Sequence, residues 1–142
     1  MKFIIQARKE TYASGKEPKT GRGKSYLIKK ENFEYQDVYY DQKKIFQGQE
    51  VVFHQGTSVW TCSYRGVVQE GYDAREVFRN LKKCLKDLVS VTRFHTSCNL
   101  PFEKWKYDCK GNGNFEEFSG KEAIYYNNTL AYWLVYFGGI IK

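Results

Sequence analysis

Phe46-Gln47-Gly48-Gln49-Glu50-Val51-Val52-Phe53-His54-Gln55-Gly56-Thr57-Ser58-Val59-Trp60-Thr61-Cys62-Ser63-Tyr64-Arg65-Gly66 reads as two strands around a two-residue turn. Gln55-Gly56 suits that turn because glycine takes the positive φ that tight hairpins demand. The stretch recurs. Advancing by 72 residues lays 46–68 on 118–140 without a gap. Phe46, Gly48, Glu50, Thr57, Tyr64 and Gly66 then meet Phe118, Gly120, Glu122, Thr129, Tyr136 and Gly138. Val52/Ile124, Phe53/Tyr125, Trp60/Tyr132 and Val68/Ile140 are conservative matches, and Asn127-Asn128 occupies the place of the turn. Asparagine is the other residue that enters the left-handed region readily.

Outward from this pair, the same shift carries Phe33 and Tyr35 onto Trp105 and Tyr107 and brings one helical pattern near another. The first helix is read from Phe3, Ile4, Ala7 and Thr11 over residues 3–12. The second begins at Asp73, with Glu76 three residues later as in a capping box, and has Val77, Phe78, Leu81, Leu85 and Leu88 on one face. Strand-like runs fall near 27–40, 49–54 and 58–66, then near 91–96, 103–109, 121–126 and 130–138. The chain thus reads as one domain, 1–142, built of two αβββ repeats at about 1–70 and 71–142. Neither half buries its own apolar face. The expectation is an α+β fold in which a pseudo-two-fold joins the halves into a curved, mostly antiparallel sheet with two helices on one face. Residues 131, 133, 135 and 137 are Ala, Trp, Val and Phe, so the last strand is apolar on both faces; it is expected to be central, under a helix, or at a homodimer interface.

Composition agrees with a folded chain. Of 142 residues, 18% are aromatic and 27% charged, and there are two prolines. No apolar run approaches the length of a membrane span. The apolar run at the start ends after Phe3-Ile4-Ile5, which is not an export signal, so the four cysteines read as reduced thiols of a cytoplasmic protein. They form no Cys-x-x-Cys pair, and His95-x-x-Cys98 alone approaches metal-ligand spacing; no metal or cofactor is expected. The net charge is +7, and all of it resides in residues 1–30, where nine bases face two acids; residues 31–142 hold 14 of each. The basic Gly- and Lys-rich stretch 14–25 reads as a flexible exposed loop, and Lys16, Lys19, Arg22 and Lys24 are its candidate anion-binding groups. Its Gly23-Lys24-Ser25 is no phosphate-binding loop, because Pro18 stands where the motif needs glycine and a helix precedes where a strand is required. A neutral body also argues against nucleic acid as partner.

Three constellations carry candidate chemistry. Trp60, Tyr64, Tyr132 and Tyr136 lie on equivalent strand faces, either as walls of a cleft that stacks a planar or cationic ligand or as core. Glu50 and Glu122 either anchor such a ligand, divide acid and base roles, or serve as structural carboxylates. His95 near Ser97 and Cys98 lacks an orienting third group, so no catalytic residue is assigned.

Thr11-Tyr12-Ala13, Phe33-x-Tyr35-x-Asp37-x-Tyr39, Gly48-x-Glu50-Val51-Val52, Trp60-x-x-x-Tyr64-x-Gly66, and the span from Phe118-x-Gly120-x-Glu122 to Tyr136-x-Gly138-Gly139-Ile140-Ile141-Lys142 resemble a bacterial family catalogued as a domain of unknown function. Its members occur alone or attached to helix-turn-helix regulators. The resemblance implies a sensory or accessory module and supplies no activity. The duplicated plan is also similar to the two-repeat effector-binding domains of some multidrug-responsive regulators, a likeness of fold alone. The functional expectation is a small-molecule-binding domain with an aromatic-lined cleft. The alternatives are an enzyme working through Glu50 and Glu122, and a nucleic-acid or protein-interaction module working through the basic segment.

Overall fold

The computed structural model describes residues 1–141; of the motif residues quoted above, Lys142 alone lies outside that range. Helix α1 spans Lys2–Glu10 and is followed by a 3-10 turn at Tyr12–Ser14. Phe3, Ile4 and Ala7 give α1 its apolar stripe, and the Thr11 hydroxyl ends it by donating to the Ala7 carbonyl at 2.9 Å. Strands β1 (Lys19–Thr20), β2 (Lys24–Lys30), β3 (Phe33–Gln42), β4 (Ile45–His54) and β5 (Thr57–Val68) follow. Helix α2 covers Ala74–Asp87, and its Asp73 cap accepts from the Arg75 backbone N–H at 2.9 Å. Strands β6 (Cys98–Phe102), β7 (Trp105–Gly113), β8 (Glu117–Tyr126) and β9 (Thr129–Ile140) complete the chain.

The nine strands of the described residues form one open antiparallel sheet in the order β1-β2-β3-β4-β5-β9-β8-β7-β6. The fold is α+β. Gln55, Gly56, Asn127 and Asn128 all take positive φ, as two-residue hairpins require. Each hairpin carries a register shift, at Val52/Phe53 and at Ile124/Tyr125. The last strand is central: β9 pairs with β5 on one side and β8 on the other, with Tyr64 opposite Tyr136.

Three details of the strand reading are corrected. The run 27–40 is two strands, because Glu31 adopts φ 55° and turns the chain at Glu31-Asn32. The run 91–96 is not a strand but a series of turns, with Arg93 at φ 57° so that Thr92 and Phe94 are both buried. The short strands β1 and β6 lie outside the runs read from the sequence, so five strands follow α1 and four follow α2, where three were expected in each half.

Alternation decides what the sheet buries. Phe46, Gly48 and Glu50 on β4 share a face with Trp60, Cys62 and Tyr64 on β5, and this face meets Ile4 and Ala7 of α1 and Val77, Leu81 and Leu85 of α2. Phe46 touches α2 directly, its ring 5.6 Å from that of Phe78. On the other face Val135 and Phe137 remain exposed. Two glycines make room for tyrosine hydroxyls on the inner face: Gly48 lies opposite Tyr64 and Gly120 opposite Tyr136. A Cβ on Gly48 would come within 2.6 Å of the Tyr64 hydroxyl, and one on Gly120 would collide with the Tyr136 phenol. Gly120→Ala is therefore expected to cost ~1–3 kcal/mol of stability through overpacking, measured by urea unfolding.

Candidate functional site

The inner face of the sheet carries three buried carboxylates: Asp37 on β3, Glu50 on β4 and Glu122 on β8. A buried charge costs several kcal/mol unless it is paired and hydrogen-bonded. Glu50 meets that condition. Arg8, pointing inward from α1, donates from Nε to Oε1 at 2.7 Å and from Nη2 to Oε2 at 2.6 Å, and the Tyr35 hydroxyl donates to Oε1 at 2.7 Å. The Arg8 guanidinium also donates to the Thr92 carbonyl at 3.0 Å and lies 4.3 Å from the centroid of the Phe94 ring. Burial alone would raise the Glu50 carboxyl, but the Arg8 charge and these hydrogen bonds hold it below its ordinary value.

Glu122 is satisfied likewise. Arg93 donates through Nη2 at 3.0 Å and Nε at 3.3 Å, and the Tyr107 and Tyr132 hydroxyls donate at 2.6 and 2.9 Å. The two glutamates thus belong to separate arginine-tyrosine clusters. Glu50 borders a small cavity of about 30 Å³ together with Arg8, Tyr35 and Arg93. Glu122 lines neither that cavity nor the larger one described next.

The larger cavity, of about 250 Å³, lies between the sheet, the 3-10 turn, the basic segment and α2. Tyr26, Tyr39, Phe46 and Tyr64 wall it from the sheet, and Tyr12 and Phe78 from the helical side. Glu17, Pro18, Thr20 and Lys24 form its rim. Asp37 lines both cavities. Its Oδ1 accepts from the Tyr64 hydroxyl at 2.5 Å, and no arginine or lysine among the described residues pairs with it. Burial, reinforced by the Glu50 charge, pushes the Asp37 carboxyl up to about 7, against the opposing Tyr64 hydrogen bond and the Arg93 and Arg8 charges. Such a displaced carboxyl in a cavity marks a functional-site candidate.

Of the four aromatic residues singled out by spacing, Tyr64 lines this cavity. Trp60, Tyr132 and Tyr136 pack in the core. The Trp60 ring lies 5.9 Å from that of Phe118, Tyr132 stacks 6.2 Å from Phe46, and Tyr136 donates to the Phe94 carbonyl at 2.9 Å. Lys16, Lys19 and Arg22 are exposed, whereas Lys24 is ion-paired to Asp41 at 2.7 Å. Within the basic segment the Tyr26 hydroxyl donates to the Lys16 carbonyl at 2.6 Å, and Lys19 and Thr20 pair with Ser25 and Lys24. Spacing alone did not single out Asp37, Arg8 or Arg93. The available signal for Asp37 was a carboxylate on the strand face that also carries Tyr35 and Tyr39. No group of three or more His, Cys, Asp or Glu among the described residues is placed to hold a metal ion, and none of their helices is long and apolar enough to cross a membrane.

The model of the family described as a domain of unknown function, DUF5680, matches residues 37–141. The chain belongs to that family. The DUF5680 match begins at Asp37 and takes in both glutamates, Arg93 and the seam of β5 with β9, while Arg8, Tyr12 and Tyr26 come from the segment ahead of it. Comparison with curated proteins and with solved structures finds no match.

Two outcomes follow from these charges. Arg8→Met strands the Glu50 carboxylate and is expected to cost ~3–5 kcal/mol, part of it recovered when Glu50→Gln is added, as a double-mutant cycle by urea unfolding will read. For Asp37 the sign is opposite to that of an ion-paired acid. The unfolded chain releases this proton near 3.8 and the folded one near 7, so stability falls as pH rises between those values and then levels off. Asp37→Asn is expected to match the parent below pH ~4 and to exceed it by up to ~4 kcal/mol above pH ~7, which urea unfolding at both extremes measures.

Proposed function

We propose that this domain binds a small molecule in the cavity beneath the basic segment and works as a sensory or accessory module. The observation that carries this reading is the buried Asp37 carboxylate opening into an aromatic-walled space of about 250 Å³. That volume is near the lower end of ligand pockets, roughly 300–1,000 Å³, and suits a compact ligand. Tyr64 serves as wall and as Asp37's hydrogen-bond donor. Trp60, Tyr132 and Tyr136 back the walls from the core, and Glu50 and Glu122 anchor the arginines instead of touching the ligand. Lys16, Lys19 and Arg22 stand in the segment that rims the mouth, where they attract anions only from outside.

We also read the chain as two copies of one unit. Support comes from the coincident register shifts of the two hairpins and from the two glycine-tyrosine pairs, all 72 residues apart. The copies differ where the cavity lies. Asp37, Tyr39 and Asp41 correspond to Cys109, Gly111 and Gly113. Over the second copy the segment 94–96 lies against Gly111, where a Cβ would come within 2.6 Å of its backbone. One copy keeps a space, and the other fills it.

The test is a melting-temperature screen of compact metabolites against the wild type and Thr20→Trp, which blocks the mouth from an exposed position. A ligand at a hundred times its Kd is expected to stabilise the fold by about 2.7 kcal/mol, and the shift is expected to vanish in Thr20→Trp. A screen without shifts, or shifts that persist in Thr20→Trp, would overturn the reading.

A further inference from the structure

This inference rests on the cavity being a ligand site and concerns the chemistry it selects. Among the described residues the inner face encloses three carboxylates, Asp37, Glu50 and Glu122, and two guanidinium groups pair with them, Arg8 with Glu50 and Arg93 with Glu122. Asp37 is the carboxylate left over. It is 6% exposed, its Oδ1 is taken by Tyr64, and its Oδ2, which is not sealed from solvent, has no hydrogen-bond or ion-pair partner among the described residues. A carboxylate oxygen so placed calls for a donor, and a charged donor answers it most strongly.

Two of the three cations that border the cavity are held by carboxylates. Arg93 holds Glu122, Lys24 holds Asp41 at 2.7 Å, and the Lys82 ammonium lies 5.0 Å from the centroid of the Tyr12 ring. An anionic ligand would therefore meet the Asp37 carboxylate, and the one lining cation without a carboxylate partner among the described residues, Lys82, is matched by a lining carboxylate that has no ion pair either, Glu17. The walls favour the opposite sign, since Tyr39, Phe46, Phe78 and Tyr12 present aromatic surface whose faces are electronegative. We propose that the cavity recognises an organic cation: a protonated amine that donates to Asp37 Oδ2, carried on a flat apolar body that packs against Tyr39, Phe46 and Phe78.

Three probes of one shape separate the possibilities: 2-phenylethylamine, 2-phenylethanol and 3-phenylpropanoate, titrated calorimetrically at pH 8, where Asp37 is ionised and the amine is an ammonium. The amine is expected to bind about tenfold or more tightly than the alcohol, the worth of one charge-assisted hydrogen bond over a neutral one, and the carboxylate weakest. In Asp37→Asn the amine's advantage is expected to disappear while the alcohol's affinity stays within about threefold, since the walls are unchanged. Equal binding of amine and alcohol would mean that Asp37 is satisfied without a ligand, for instance by a water in the 30 Å³ cavity, and would overturn the inference. So would tighter binding of the carboxylate, or no binding of the amine at millimolar concentration. In those cases loss of other ligands' melting shifts in Thr20→Trp keeps the binding-site reading standing. If the amine's binding survives Thr20→Trp, both fail.

Discussion

Each of the two helical segments is fastened to the sheet by an arginine driven into the protein interior. Arg8 reaches from α1 to β4, and Arg93 reaches from the turns after α2 to β8; each meets a glutamate through two hydrogen bonds, with tyrosine hydroxyls taking part of the remaining acceptor capacity. Pairs of this kind add little net stability over an apolar contact of the same shape, because desolvation offsets the Coulomb gain. They do fix position. A helix carrying Arg8 cannot slide by one residue along the sheet without leaving two ions unmatched in the interior. Arg8 also donates to the Thr92 carbonyl, next to Arg93, so the two clusters share a backbone segment.

That arrangement explains why the third carboxylate stands out. Asp37 pairs in register with Glu50 across β3 and β4, as Cys109 does with Glu122 across β7 and β8. A thiol fits beside a glutamate without adding charge, and Cys109 indeed sits in the core with the Tyr136 hydroxyl 3.5 Å from its sulfur. Asp37, opposite Glu50 in its own register, puts two carboxylates side by side; burial first and the Glu50 charge second raise its proton affinity. A carboxyl displaced in this way while facing an open space is a functional-site candidate, a feature that packing alone would avoid.

The architecture was largely legible in the sequence because it is written in local signals. Gln55-Gly56 and Asn127-Asn128 mark hairpins by backbone preference, Asp73 with Glu76 marks a helix start, and alternation marks which residues face inward. Two errors arose where the backbone goes left-handed at residues that carry no such signal, Glu31 and Arg93, and a third at β6, an edge strand whose Pro101 masks its strand character. The site was less legible for a different reason. Alternation tells which face a side chain occupies but not what covers it, so Tyr64 at the cavity and Trp60, Tyr132 and Tyr136 in the core look alike from spacing. The partners of Glu50 and Glu122 are 42 and 29 residues away along the chain, and neither arginine falls on the other under the 72-residue shift. Pairings of that range belong to the packed fold and not to any window of sequence.

The central seam has a consequence for how the chain reaches this state. Every pairing within β1–β5 and within β6–β9 joins neighbouring strands through short turns, but β5 meets β9 through partners such as Trp60 with Ile140. Closing a loop of that length carries an entropic penalty that neighbouring hairpins escape, and contacts of long sequence separation slow folding. Any sheet formed by β1–β5 before Thr129–Ile140 is made would leave bare the β5 edge that β9 covers in the folded protein. In the folded sheet β9 is the closure: it takes up a strand edge that would otherwise be open to pairing with another chain.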